Sequence, residues 1–217
     1  AKDARIRVID NEKNLGLPGS RNKVLPMVRG KYVAWQDADD VSLPHRFERI
    51  LARMEDDPTV GMCGAWLEFF QGDTIKGYRR YDVDDAPLRK RIFRYSPVAH
   101  PTALIRRECF EQLGGFDLSF APAEDLELSF RFGTRFKFAN VPEVLLRYRQ
   151  HTASMTFTKL SANERGVLRI RSKYRKNAAY HRTAFDVLYN ELQRASISLV
   201  PPRLKIALFD LMRNSRA

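Results

Sequence analysis

The sequence is poor in cysteine. Its two, Cys63 and Cys109, stand far apart and form no CxxC pair. That excludes a disulfide framework and a cysteine-rich zinc site, and it reads as two buried thiols in a reducing compartment. No apolar run is long enough to span a membrane. No leader is visible, and the start, Ala1-Lys2-Asp3-Ala4-Arg5, is charged and lacks an initiator Met. The expectation is therefore a trimmed beginning. Internal repeats and low-complexity tracts are absent too, as is any recognised nucleic-acid motif.

What is present is a 217-residue chain with 44% hydrophobic and 29% charged residues, ordinary values for a globular protein. The length suits one sizeable domain, or a core with a helical appendage. The net charge of +12 is not ordinary. It calls for a negatively charged partner: nucleic acid, an anionic membrane surface or a phosphorylated substrate. Much of it lies at residues 155–217, where 13 Lys and Arg face 4 Asp and Glu, a surplus of +9.

Apolar strands alternating with helices predict an α/β fold. The expected strands are 6–9, 31–36, 60–70, 102–105, 135–140 and 144–150. Helices are expected at 21–28, weakened by Pro26, and at 44–55, 107–113 and 124–132. Residues 72–97 read as loop and short helix. Beyond 155 the pattern is helical, with Pro201-Pro202 setting off a last helix at 203–213.

Four groups of residues could carry chemistry. Asp37-Ala38-Asp39-Asp40 follows an apolar strand, where open α/β sheets bind ligands. Two carboxylates one residue apart can reach a hard cation from a tight turn; the plainer alternative is a solvated turn or a helix cap. Gly114-Gly115-Phe116-Asp117, followed by Glu124-Asp125, could bring backbone close to a ligand and supply acids, though the helix dipole alone favours acids at a helix start. Arg147-Tyr148-Arg149-Gln150-His151 offers phosphate clamps and a metal-ligating imidazole, or is merely a basic edge strand. Arg21-Asn22 follows a glycine-containing turn and could face phosphate at a helix amino end, or lie in an exposed first turn.

Their order along the chain is more specific than any one of them. NLGLPGSRN at 14–22, GKYVAWQDADD at 30–40 and Leu43-Pro44 come first. HPTALIRR at 100–107, Gly114-Gly-Phe-Asp117, Ala123-Glu-Asp125 and Tyr148-Arg-Gln-His151 follow. Over roughly residues 6–155 this series resembles the family 2 glycosyltransferases of the GT-A fold. The resemblance implies a GT-A-type, Rossmann-like mixed sheet flanked by helices, truncated at its N-terminus. Residues 1–155 would be a partial catalytic domain and 156–217 a basic helical C-terminal extension.

It also implies an inverting transfer of sugar from a nucleotide-diphosphate sugar to a hydroxyl, on a cell-surface glycan or lipid-linked oligosaccharide. Asp39 would be the direct ligand of Mg²⁺ or Mn²⁺, assisted by Asp37 and completed by His151. Asp37, Arg21, Asn22 and Arg149 would face the donor, and Asp40 would support the turn. Asp125 would be the catalytic base, with Glu124 positioning it or the acceptor. The family's first strand–helix–strand portion has no counterpart here, so the chain alone is expected to bind donor poorly.

Leu204, Ile206, Leu208, Phe209, Leu211 and Met212 mix with Arg203, Lys205 and Arg213 in the last helix. That composition suits an interfacial helix on an anionic membrane, or a helix packed on the catalytic domain with solvated basic residues. The expected location is cytoplasmic, with peripheral contact at the inner face of the cell membrane through 203–213. The non-enzyme alternative is a basic nucleic-acid- or membrane-binding module. Nucleic acid is not the expected partner, because the charge comes without a motif. A two-carboxylate glycosidase is the enzyme alternative, and it would not need the acidic turn.

Overall fold

The computed structural model describes residues 3–150, 159–201 and 204–205. Its spine is a long strand, β3 (Val60–Gln71), whose sequence VGMCGAWLEFFQ is buried almost throughout. A strand reads as continuously apolar when both faces of its sheet are covered. Here α2 (Arg46–Asp56) covers one face, where Ile50 and Met54 pack on Val60, Cys63, Ala65 and Ala139. The other face carries the larger core, in which Met62, Phe93, Phe130, Phe138 and Ile170 meet.

The sheet is mixed, as expected. Its order is β1 (Tyr32–Ala34), β5 (Leu104–Arg106), β3, β6 (Lys137–Arg149) and β2 (Val41–Ser42), with β4 (Thr74–Arg79) forming a hairpin on the far half of β3. Pairing of β3 with β6 is parallel and runs from Val60 opposite Lys137 to Phe70 opposite Arg149. β2 lies antiparallel on β6, with Val41 opposite Arg147. That register fastens the turn just before β2, residues 37–40, to the carboxyl end of β6.

Several elements fall where the sequence puts them. α4 (Arg107–Leu113) ends at Gly114, whose φ of 84° suits glycine, and α5 (Glu124–Phe132) starts at the acidic pair. Others differ. α1 (Gly16–Val24) begins earlier than residue 21, because the Asn14 side chain accepts from the Gly16 amide; Pro26 then sits in a single 3₁₀ turn, Leu25–Met27. Residues 6–9 form no strand; Ile6 and Val8 are exposed and pair with no described strand. Residues 135–140 and 144–150 are one strand, not two. β6 passes Pro142 by a register shift opposite Ala65 and Trp66, which spares the missing N–H. Residues 72–97 contain β4 and α3 (Asp85–Arg91).

Beyond residue 158 the described residues include α6 (Leu160–Tyr174) and α7 (Ala184–Leu199). Ile170, Tyr174 and Tyr180 join the larger core. The expected helix at 203–213 lies outside the described residues except for Leu204 and Lys205.

Candidate active site

The acidic turn is held by polar groups on every side. The Asp40 amide donates to the Asp37 carbonyl at 3.2 Å. Gln36 Nε2 donates to the carbonyls of Asp37 and Asp40, at 2.9 and 3.0 Å. Beneath it lies Arg46, a fully buried guanidinium that donates to Gln36 Oε1, Ser42 Oγ and the carbonyls of Trp35 and Pro101, at 2.6 to 2.9 Å. From β6, the Arg149 amide donates to Asp40 Oδ1 at 3.0 Å and its Nε to the Asp39 carbonyl at 2.9 Å. Asp39 is exposed and Asp37 half-buried. Burial, together with the charges of Asp37 and Asp39, pushes the Asp40 carboxyl up to about 6, against the bond from Arg149. Asp40 Oδ2 is buried with no hydrogen-bond partner.

Glu124 and Asp125 open α5. Asp125 Oδ1 accepts from the Leu126 amide at 2.8 Å, the satisfied first turn that a helix start offers an acid. Glu124 is buried, and its Oε2 has no hydrogen-bond partner. Burial raises the pKa of both groups above the usual carboxylate range. The charge of Asp125 adds to the rise at Glu124, and the charge of Asp37 adds to the rise at Asp125.

Arg21 joins the two acidic groups. It is buried on α1, with its guanidinium 3.5 Å from Asp37 Oδ1 and over the rings of Trp35 and Phe116. Its positive charge also favours ionised Glu124 and Asp125. The same charge, after burial, drives His100 down to about 3, so that ring is neutral. His100 stacks on Trp35 at 6.0 Å.

Asn22 has a different task. Its Nδ2 donates to the Phe116 carbonyl at 2.8 Å and its Oδ1 accepts from the Phe116 amide at 2.7 Å. A side chain on Gly115 would collide with that Oδ1, so the second glycine is explained by packing against α1. Asp117 caps the next turn by accepting from the Ser119 amide. The structure thus brings together Arg21, Asp37, Asp39, Asp40, Glu124, Asp125 and Arg149, and gives Asn22 to the turn. His151 lies outside the described residues.

Two residues that shape the turn, Gln36 and Arg46, were not singled out from sequence. The signal for Arg46 was its register: Arg46, Ile50 and Met54 fall at four-residue spacing and share the inward face of α2. An open cleft of about 380 Å³, lined by Leu25, Pro26, Val28, Val33 and Phe110 among others, includes Asn22 and Glu111 but none of Asp37, Asp39, Asp40, Glu124 and Asp125.

An all-oxygen donor set suits Mg²⁺ or Mn²⁺. Among the described residues no three His, Cys, Asp or Glu side chains converge as a metal cage. Mg²⁺ in phosphate chemistry commonly takes one or two carboxylates and completes its shell with phosphate and water. Asp40, raised first by burial and then by the charges of Asp37 and Asp39, and with an unpartnered oxygen, is compatible with a nearby cation.

The model of a family described as glycosyl transferase family 2 matches residues 1–114. The chain is 32% identical over 151 residues to an uncharacterized glycosyltransferase of Methanocaldococcus jannaschii, covering 68% of this chain and 52% of that protein. It is 27% identical over 203 residues to the Escherichia coli UDP-Gal:alpha-D-GlcNAc-diphosphoundecaprenol beta-1,3-galactosyltransferase, covering 88% and 69%. Among solved structures, S. aureus TarS 1-349 in complex with UDP-GlcNAc matches with a TM-score of 0.64 at 14% identity, over 89% of this chain and 56% of that one. The chain spans about half the length of the first curated relatives it matches.

Proposed function

This chain belongs to glycosyl transferase family 2 and has its GT-A fold, and from that membership we propose that it moves a sugar from a nucleoside-diphosphate donor to an acceptor hydroxyl with inversion. One observation carries the reading: a partly exposed acidic turn and the acidic pair that opens α5 both feel the charge of a single buried arginine. Asp39 is the proposed ligand of Mg²⁺ or Mn²⁺, and Asp37 faces the donor. His151 would complete the site from outside the described residues. When bound, the cation supplies Lewis-acid stabilisation of the departing diphosphate.

The chain's own residues do the rest. Arg21 and Arg149 add positive charge beside the leaving group. Asp125 takes the proton of the attacking hydroxyl, and its burial lifts its basicity toward that task. Glu124 positions the acceptor or the base. Asn22 supports this arrangement by holding the turn that carries Phe116, one of the two rings beneath Arg21. Direct displacement inverts the anomeric centre.

A lipid-linked or cell-surface glycan is the proposed acceptor, in line with the diphosphoundecaprenol named for the E. coli relative. Among the described residues no helix is long and apolar enough to cross a membrane. The proposal keeps a cytoplasmic enzyme that touches the membrane's inner face through 203–213.

The test is calorimetric binding of UDP-, GDP- and TDP-sugars with and without Mn²⁺, for wild type and Asp39→Ala. Metal-dependent binding should vanish in the variant, and equal binding would sink the metal assignment. A product retaining the donor's anomeric configuration by NMR would sink the direct displacement.

A further inference from the structure

Helix α7 is built inside out. Its protein-facing side is polar: Asp186 and Asn190 are buried, and Gln193 lies partly buried beside them. Its outward side is apolar: Phe185, Leu188, Leu192 and Leu199 are 59%, 56%, 62% and 79% exposed. Their spacing of three, four and seven residues puts them on one stripe running the length of the helix. A single exposed leucine is ordinary, but an unbroken stripe marks a surface for interaction.

Two buried arginines fix this orientation. Arg94 Nε lies 2.7 Å from Asp186 Oδ1. Arg171 donates to Asn190 Oδ1 and Gln193 Oε1, both at 2.7 Å, and to the Arg94 carbonyl at 2.6 Å. Rotating the apolar stripe inward would take Asp186 from Arg94 and Asn190 and Gln193 from Arg171, leaving each guanidinium a main-chain carbonyl, which is unfavourable. A capping box between Thr183 and Asp186 also sets the helix start.

Charge identifies what covers the stripe. Three carboxylates fall within residues 159–205, and none presents unpaired charge. Glu164 is buried against Lys205 at 2.8 Å, Asp186 is buried against Arg94, and Glu191 pairs with Arg194 at 3.1 Å. Arg165, Arg175 and Lys176 are exposed. This unit therefore carries exposed positive charge on α6 and just after it, together with an apolar stripe on α7. A second copy would bring the same charge against itself, whereas an anionic bilayer complements both features.

We propose that α7 lies flat on an anionic lipid surface, with Leu188, Leu192, Leu199 and the face of Phe185 turned from Arg94 in the acyl boundary and the unit's exposed cations on the headgroups. This contact is separate from residues 203–213 and does not depend on catalysis. The test is flotation of the full chain with vesicles of phosphatidylcholine alone or with phosphatidylglycerol. Wild type should float with the anionic vesicles at least tenfold more than with the neutral ones. Leu188→Asp/Leu192→Asp should lose at least tenfold of that while keeping its circular dichroism melting curve. Phe185→Trp, which keeps the face apolar, should give a blue-shifted emission only with anionic vesicles. Equal recovery on both lipids, unchanged flotation of the double variant, or a wild-type dimer that the double variant dissolves would each overturn the proposal.

Discussion

The acidic turn and the acidic pair share Arg21, yet the fold treats them in opposite ways. At residues 37–40 the backbone is clamped by Gln36 and Arg149, with Arg46 beneath holding Gln36, while Asp39 is exposed. At Glu124-Asp125 the carboxyls are drawn under the surface at a helix start, and burial raises the pKa of both. Charge kept in water is cheap to maintain and ready for a cation. Charge taken from water is expensive, and the expense makes a better base. Burial lifts Asp40 within the turn as well, so the contrast lies between Asp39 and Asp125: in the proposed reading the exposed one holds the metal and the more deeply set one handles the proton.

That contrast breaks first at the buried end. Asp125→Asn should lower single-turnover transfer by about 10³-fold, while removing a buried charge and so stabilising the fold by about 1 kcal/mol. An unchanged rate would remove Asp125 as base. By comparison Asp39→Ala, which deletes an exposed carboxylate, should leave stability within about 0.5 kcal/mol, measured by urea unfolding, even as metal-dependent binding is lost.

Next in size is the clamp. Arg46→Met leaves the Trp35 and Pro101 carbonyls without their donor. It should destabilise the chain by about 2–4 kcal/mol and loosen the turn, seen as faster amide exchange at residues 36–42. A native melting curve would show that the turn does not need its arginine.

pH sharpens the comparison further. Burial raises Asp125 above the ordinary aspartate value, and as the proposed base it would work only when ionised. Transfer should therefore fall as pH drops, about tenfold per unit below that raised value, and recover as pH rises through it. Arg21→Met removes a charge that favours the ionised form, so its acid limb should lie at higher pH. A limb at the ordinary aspartate position in both proteins would mean burial does not tune the base. The smallest effect belongs to Arg149→Ala. Its main-chain bond to Asp40 survives, so donor binding should weaken only by about threefold, near 0.6 kcal/mol.

How much of this the sequence discloses depends on how local each cause is. α4 and α5 have the expected bounds, because Gly114 and Glu124-Asp125 act on their own neighbours. β3 shows itself as an apolar run. The acidic turn shows itself only by its order among other motifs. Arg46 escapes notice because one of its bonds reaches the Pro101 carbonyl, 55 residues away. Residues 6–9 have strand composition, but a strand needs a partner, and composition does not supply one. The polarity of α7 misleads for the same reason. Only Arg94 and Arg171, drawn in from elsewhere in the chain, show which side is the inside.

The bond from Arg149 to Asp40 spans 109 residues. During synthesis the acidic turn leaves the ribosome 109 residues ahead of its clamp from β6. Long-range parallel pairing such as that of β3 with β6 forms slowly. The acidic turn is therefore fastened from β6 only once β6 has taken its place, and order in these residues depends on the most distant pairing in the sheet.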